Sequence, residues 1–135
     1  MVVKLCKKID NPWELLQKRQ KPENVGSVLV FTGIVRGIGK DGGRVLKLHY
    51  EAHEELAEKV LRRIVEEAKE KYNLADVIVL HKVGEARVGE IVFFVAVLSK
   101  HREEGYKGLI EIVDRVKKEA PIWKKEYTTK GAYWV

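Results

Sequence analysis

The chain has 135 residues, 45% of them hydrophobic, which suffices for one compact domain with its own core and is too little for two ordinary ones. No run approaches the roughly 18 consecutive apolar residues of a membrane span, and MVVKLCKKIDNPW lacks the features of a signal peptide, so a soluble, cytoplasmic protein is expected. Lys and Arg number 26 against 20 Asp and Glu, and the resulting +6 suits nucleic acid, an anionic metabolite or an acidic protein without choosing among them. The single cysteine, Cys6, excludes an internal disulfide and a cysteine-rich zinc site; it reads as a small buried hydrophobe.

Val2 to Cys6 reads as a short first strand. Asn11, Pro12 and Glu14 then supply an N-cap, a proline at the first helical position and an N3 glutamate, so a short helix is predicted, ending at Lys21–Pro22–Glu23. Ser27 to Val35, SVLVFTGIV, is nearly continuous in apolar and β-branched residues, as for a central strand. Gly33 interrupts it and predicts a bulge or a close approach to the backbone. Arg36 follows where this strand leaves the core.

GIGKDGG, residues 37–43, lacks the G-x-x-x-x-G-K-[ST] pattern and the strand-to-helix context of a phosphate loop, so it reads as a mobile hairpin tip. The returning strand, 44–52, alternates Leu46, Leu48 and Tyr50 against Lys47, His49 and Glu51. Glu54 to Tyr72 is the clearest helix, with Leu56, Ala57, Val60, Leu61, Ile64, Val65 and Ala68 on one face. Residues 75–83 and 90–98 are two further strands joined through GEARVG; the second, apolar on both faces, reads as central. His81, like His49 and His53, has no ligand-type neighbour in sequence and reads as structural or exposed rather than as a metal ligand.

Ser99 is a candidate N-cap for a helix running to about Lys118, with Pro121 as a break and 122–127 as a last strand. Tyr106, Leu109, Ile110, Val113, Val116 and Ala120 form its apolar stripe, and Lys117 falls at the margin of that stripe while Lys118 points away. Gly105 and Gly108 inside the helix cost about 1 kcal/mol each relative to alanine, which predicts close packing against another element. The order β, α, β, β, α, β, β, α, β, without regular βαβ alternation, predicts an α+β domain with a mostly antiparallel sheet and two main helices.

Between Lys100 and Lys125 stand eight basic and five acidic residues, half of the net positive excess. His101 and Arg102 fall in the helix's first turn, where the dipole favours an anion. If Pro121 turns the chain back, Lys117 and Lys124 can face one another; period-two alternation groups Lys124 with Ile122 and Glu126, and Lys125 with Trp123 and Tyr127. Crowded cations lower a lysine's pKa and bring its neutral amine within reach as a base or nucleophile. On spacing alone, ordinary surface cations of a basic domain are the simpler reading.

The motifs VFTGIVRG (residues 30–37), LHYEAH (48–53), HKVGE (81–85), SKHR (99–102) and KKEAPIWKKE (117–126) resemble, in order and spacing, the large, catalytic subunit of molybdopterin synthase, the MoaE family. The resemblance implies an α/β hammerhead fold in a single domain, 1–135, and a homodimer carrying two small ubiquitin-like sulfur-carrier subunits of the MoaD type in a heterotetramer. It implies sulfur transfer from the partner's C-terminal Gly-Gly thiocarboxylate to cyclic pyranopterin monophosphate, forming the molybdopterin dithiolene, with no cofactor and no metal. Matched by motif, Lys117 and Lys124 are the catalytic lysines, Arg36, His101 and Arg102 bind the anionic groups, and Phe31 shapes the entry of the partner's tail. Lys100 departs from the small residue expected before His101, and the glycine-dense 37–43 loop from the usual hairpin tip. The alternatives are a basic module binding RNA and a protein that binds a ubiquitin-like partner without turnover; dispersed aromatics and the absence of a stacking platform speak against RNA.

Overall fold

A computed structural model describes residues 1–135. The chain runs β1 (Val2–Cys6), α1 (Pro12–Arg19), β2 (Ser27–Ile34), β3 (Val45–Ala52), α2 (Glu54–Tyr72), β4 (Asp76–Lys82), β5 (Gly84–Ala86), β6 (Ile91–Ser99), α3 (Arg102–Glu119), β7 (Ile122–Thr128) and β8 (Gly131–Trp134). The sequence-predicted elements are all present, joined by two short strands, β5 and β8, that periodicity did not mark. No helix is long and apolar enough to cross a membrane.

The strands divide into two four-stranded sheets. The first has the order β1-β4-β6-β2, antiparallel except where β1 runs parallel to β4. The second, β5-β3-β7-β8, is antiparallel throughout. β6 is central and buried along almost its whole length, which explains why IVFFVAVLS is apolar on both faces.

One face of the first sheet (Val77, Val79, Phe93, Val95 and Val97) packs against α2 and α3, where Leu61, Ile64, Val65 and Ile112 are fully buried. The other face, with Ile78, Phe94, Ala96 and Leu98, is covered by Leu16 of α1 and by Trp13, whose ring meets Phe94 edge-on at 5.3 Å. Removing a side chain such as Ile112 from this packing would cost about 2–5 kcal/mol.

Local chemistry accounts for the joints. The Glu14 N–H donates to Asn11 Oδ1 at 3.3 Å, and Asn11 Nδ2 donates back to the Glu14 carboxylate at 2.9 Å, a reciprocal cap on α1. The register of β2 against β6 slips between Gly33 and Ile34, where a Cβ on Gly33 would stand 3.1 Å from the Phe93 Cβ. Beyond this bulge the chain leaves the first sheet, and Val35 enters a small core with Val45, Leu48, Ala86 and Val92 beneath the second.

Several sequence expectations are corrected. Ser99 is not the N-cap of α3: His101 is, and Ser99 is buried, with Oγ 2.8 Å from Ser27 Oγ and donating to the His101 carbonyl at 2.7 Å. The buried stripe of α3 is Gly105, Gly108, Ile112 and Val116, rotated from the predicted one, so Tyr106 and Ile110 are 52% and 62% exposed. The two glycines set that rotation: a Cβ at Gly105 would meet Leu29 Cδ1 at 2.6 Å, and one at Gly108 would meet Leu74 Cδ1 at 2.9 Å. Leu46 faces solvent because the β3–β7 register shifts between Val45 and Lys47.

The 37–43 loop is tied down rather than free. The Lys40 N–H donates to Glu126 Oε1 at 2.7 Å, the Asp41 N–H to the Tyr133 hydroxyl at 3.0 Å, and Thr128 Oγ1 to Asp41 Oδ2 at 2.6 Å. Glu126 is buried and also accepts from the Tyr133 hydroxyl. Glycine is required at 39 and 43 because the loop lies against Thr128 and Glu126 too closely for a Cβ.

Candidate active site

Where the helix-covered face of the first sheet ends and the second sheet crosses it, the chain leaves a cavity of about 620 Å³. This is a volume suited to a small organic ligand. Its wall takes Phe31 from β2, Arg36 from the β2–β3 link, Tyr50 from β3, His81 from β4, Lys117 from α3 and Lys124 from β7. Four of the six sequence candidates therefore share one cavity.

Each is there for a local reason. Phe31 points to the helical side of the first sheet and packs its ring against Phe93 at 5.6 Å. Lys117 stands on the last turn of α3 one residue after the buried Val116, its Nζ 5.5 Å from the centre of the Phe31 ring, a cation–π contact worth about 0.5–1 kcal/mol at an open site. After Ala120, β7 runs back beside β3, and Lys124 pairs across the strands with Tyr50. Ile122 lines the cavity with Lys124, whereas Lys125 turns outward over the Tyr127 and Trp134 rings. Lys118 is exposed and takes no part in the wall.

The electrostatics follow from this crowding. Burial, together with the charges of Arg36, Lys117 and Lys40, pulls the Lys124 ammonium below the usual lysine range, against the opposing pull of Glu126. Burial and the nearby Glu126 push the Tyr50 phenol up to about 12, so it stays protonated. The cavity thus presents cations, a phenol and, at Lys124, an amine that loses its proton more readily than an ordinary lysine.

His101 and Arg102 lie elsewhere. They begin α3, are exposed, and are separated from Lys117 by about 22 Å of helix at 1.5 Å per residue. Within one chain they do not reach the cavity. A second concavity of about 320 Å³ surrounds Arg19 and Asp76, but those two charges already pair with one another.

Two ionisable side chains of the wall, His81 and Tyr50, are not among the sequence candidates. His81 continues the alternation of Val77 and Val79 on the helix-facing side of β4, so period two could have assigned it to the interior. Tyr50 was read only as one apolar position in an alternating strand. Of the other histidines, His53 caps α2 by accepting from the Leu56 N–H at 3.3 Å, and His49 sits 3.4 Å from Glu51 at the surface.

The chain is similar to known proteins over most of its length. Residues 7–119 match the family described as MoaE protein. A molybdopterin synthase catalytic subunit from Pyrococcus abyssi is 40% identical over 112 residues, covering 83% of this chain and 75% of its own. The crystal structure of molybdopterin synthase from Staphylococcus aureus superposes with a TM-score of 0.88 at 31% identity, covering 98% of this chain and 96% of the other, so the likeness continues past residue 119 through β7. A chain from a protein–protein complex of subunits 1 and 2 of the Helicobacter pylori molybdopterin-converting factor shares the fold, with a TM-score of 0.80 at 23% identity and coverage of 100% and 90%. This chain belongs to the MoaE protein family.

Proposed function

We propose that residues 1–135 act as a single catalytic unit, the catalytic subunit of a molybdopterin synthase, and that the cavity between the two sheets is where sulfur is transferred. The observation that carries the reading is the convergence of Phe31, Arg36, Lys117 and Lys124, from four separate segments, on one cavity in which the Lys124 ammonium is destabilised. The two molecules to be joined, a thiocarboxylate tail and a pterin phosphate, are both anionic. A cation-lined pocket holds them together and stabilises charge that develops between them.

In this reading a small ubiquitin-like subunit docks on the chain, as a second subunit does in the Helicobacter pylori complex. Its C-terminal Gly-Gly thiocarboxylate enters past Phe31. Lys117 serves as the acid/base or the transient acyl acceptor, and Lys124 orients the substrate and tunes its neighbour. Arg36 binds phosphate or carboxylate. Two transfers convert cyclic pyranopterin monophosphate to the dithiolene.

His101 and Arg102 serve as anion binders toward the cavity of a second copy, in a homodimer that carries one small subunit on each protomer. What supports this is their exposure at the far end of α3 and the exposed Tyr106 and Ile110 beside them, apolar surface that a second copy would cover. The assembly works in the cytoplasm, since neither the chain nor its substrates call for a membrane.

The test is to mix the protein with a thiocarboxylated small subunit and cyclic pyranopterin monophosphate and to follow the pterin by mass spectrometry. Dithiolene product is expected. No product, under conditions where a synthase of the family works, overturns the reading.

A further inference from the structure

The proposed chemistry leaves two ionisable side chains of the cavity wall without a task, Tyr50 and the more deeply buried His81. His81 is buried to 8% exposure, with its ring edge-on to Tyr50 at 5.2 Å and tilted against Phe93 at 5.1 Å. Its Nδ1 lies 2.8 Å from the Lys82 carbonyl. A carbonyl only accepts, so Nδ1 carries the hydrogen, and in the neutral ring Nε2 is left with a lone pair.

That lone pair has no partner within the chain, because the Lys82 carbonyl takes the only hydrogen bond of the ring. No buried side-chain nitrogen or oxygen is left unpaired, so Nε2 is not sealed in the interior; it opens on the cavity that His81 lines. The basic side chains of the wall and its phenol are of the opposite kind. Arg36 and Lys117 are donors, Lys124 is a donor when charged, and the Tyr50 hydroxyl, held protonated, also has a hydrogen to give.

We propose that His81 is a substrate-binding residue, whose Nε2 accepts a hydrogen bond from a ring N–H or amino group of the pterin while the cations take its phosphate. This rests on the sulfur-transfer reading for the identity of the ligand. It adds an orientation: the donor edge of the bicycle faces β4, and the phosphate faces Arg36 and Lys124.

The surroundings keep the imidazole in the accepting form. Burial lowers its pKa below the ordinary histidine value of 6.5, and the Lys117 charge on α3 lowers it further, while the Lys82 carbonyl acts against both. Arg36 and Lys124 across the cavity add positive charge, Tyr50 on β3 is neutral, and the strand neighbours Leu5 and Phe93 are apolar. Protonation would remove the acceptor and set a further cation beside Lys117. Pterin affinity should therefore fall as pH drops through a value below 6.5.

Calorimetric titration of the protein with cyclic pyranopterin monophosphate alone separates this proposal from the one it rests on. His81→Phe keeps an aromatic ring of similar bulk and should raise Kd about tenfold at pH 7.5, the expected loss when a buried donor goes unpaired. His81→Gln, which can hold a carbonyl near the Nε2 position, should stay within about threefold of the parent and lose the acid limb of binding. Equal affinities for parent and His81→Phe, or an acid limb that survives in His81→Gln, overturn the proposal. Should neither variant fold, the parent still decides. The unprotonated Nε2 resonance of His81 should move upfield by several ppm on saturation with the pterin while Nδ1 stays in place, and an unmoved Nε2 overturns it. A parent that binds pterin but forms no dithiolene instead counts against the sulfur-transfer reading.

Discussion

The two ends of α3 carry the same kind of residue and differ in almost everything else. At its C-terminal end Lys117 follows a buried valine, faces an aromatic ring and shares a cavity with Arg36 and Lys124. At its N-terminal end His101 and Arg102 stand exposed beside apolar side chains that nothing covers. Basic residues close in sequence do not make a site. The C-terminal end becomes one because Pro121 returns the chain at once as β7, which lies against β3 and closes a cavity over the helix end. No such return exists at the other end, so any use of His101 and Arg102 has to come from outside the chain.

That contrast can be broken or sharpened by substitution. Lys124→Met, which keeps the stem and removes the charged end, should lower the rate of dithiolene formation about 100-fold, a size typical of losing one group that stabilises developing charge. A change below about threefold would mean that the cavity end is not special. Gly105→Ala brings a methyl group to 2.6 Å from Leu29 Cδ1 and 2.7 Å from Ser99 Oγ, and should destabilise the fold by about 1–3 kcal/mol in urea unfolding. Its defect would be one of stability, with the rate per folded molecule retained.

Arg102→Ala alone should cost about tenfold in activity. Mixed, unfolded and reassembled with Lys117→Ala at equal amounts, it should recover toward a quarter of the wild-type rate, since half of the pairs are hybrids and each hybrid keeps one complete site. Recovery of none would place both ends of α3 in service of the same chain.

The smallest effect concerns stability at Lys124. Its ammonium is disfavoured in the folded state, so the unfolded chain holds that proton more tightly, and the charge costs stability below the folded pKa. The cost fades as pH rises toward the ordinary lysine value of 10.5. Lys124→Met should therefore raise the melting midpoint by about a degree or two at pH 7, and the gain should vanish near pH 10.5.

Most of this arrangement was legible in the chain. Apolar runs gave β2, β4 and β6, and helical spacing gave α2 and α3, because those segments bury one face or both. The marginal position of Lys117 and the split between Lys124 and Lys125 followed from periodicity. The division into two sheets was not legible, since it depends on the bulge after Gly33, whose effect is to send the strand across rather than onward. The rotation of α3 was hidden for a related reason: its contact stripe runs through two glycines, which carry no hydrophobic signal although the sheet packs tightest against them. Strands β5 and β8 are too short to show a period. His81 carries no site signal in the chain because no ligand-type residue stands beside it in sequence, and its neighbours Tyr50 and Phe93 arrive from other strands.

The most direct measurement of the cavity's role is a single turnover of Lys117→Ala with excess thiocarboxylated small subunit, the pterin quenched over time and weighed by mass spectrometry. A fall in the rate of dithiolene formation of about 1,000-fold is expected, with the fold and the docking of the small subunit intact, as for loss of a group that acts at the reacting atoms. Near-normal conversion by this variant would contradict the assignment of sulfur transfer to Lys117 and to the cavity it lines.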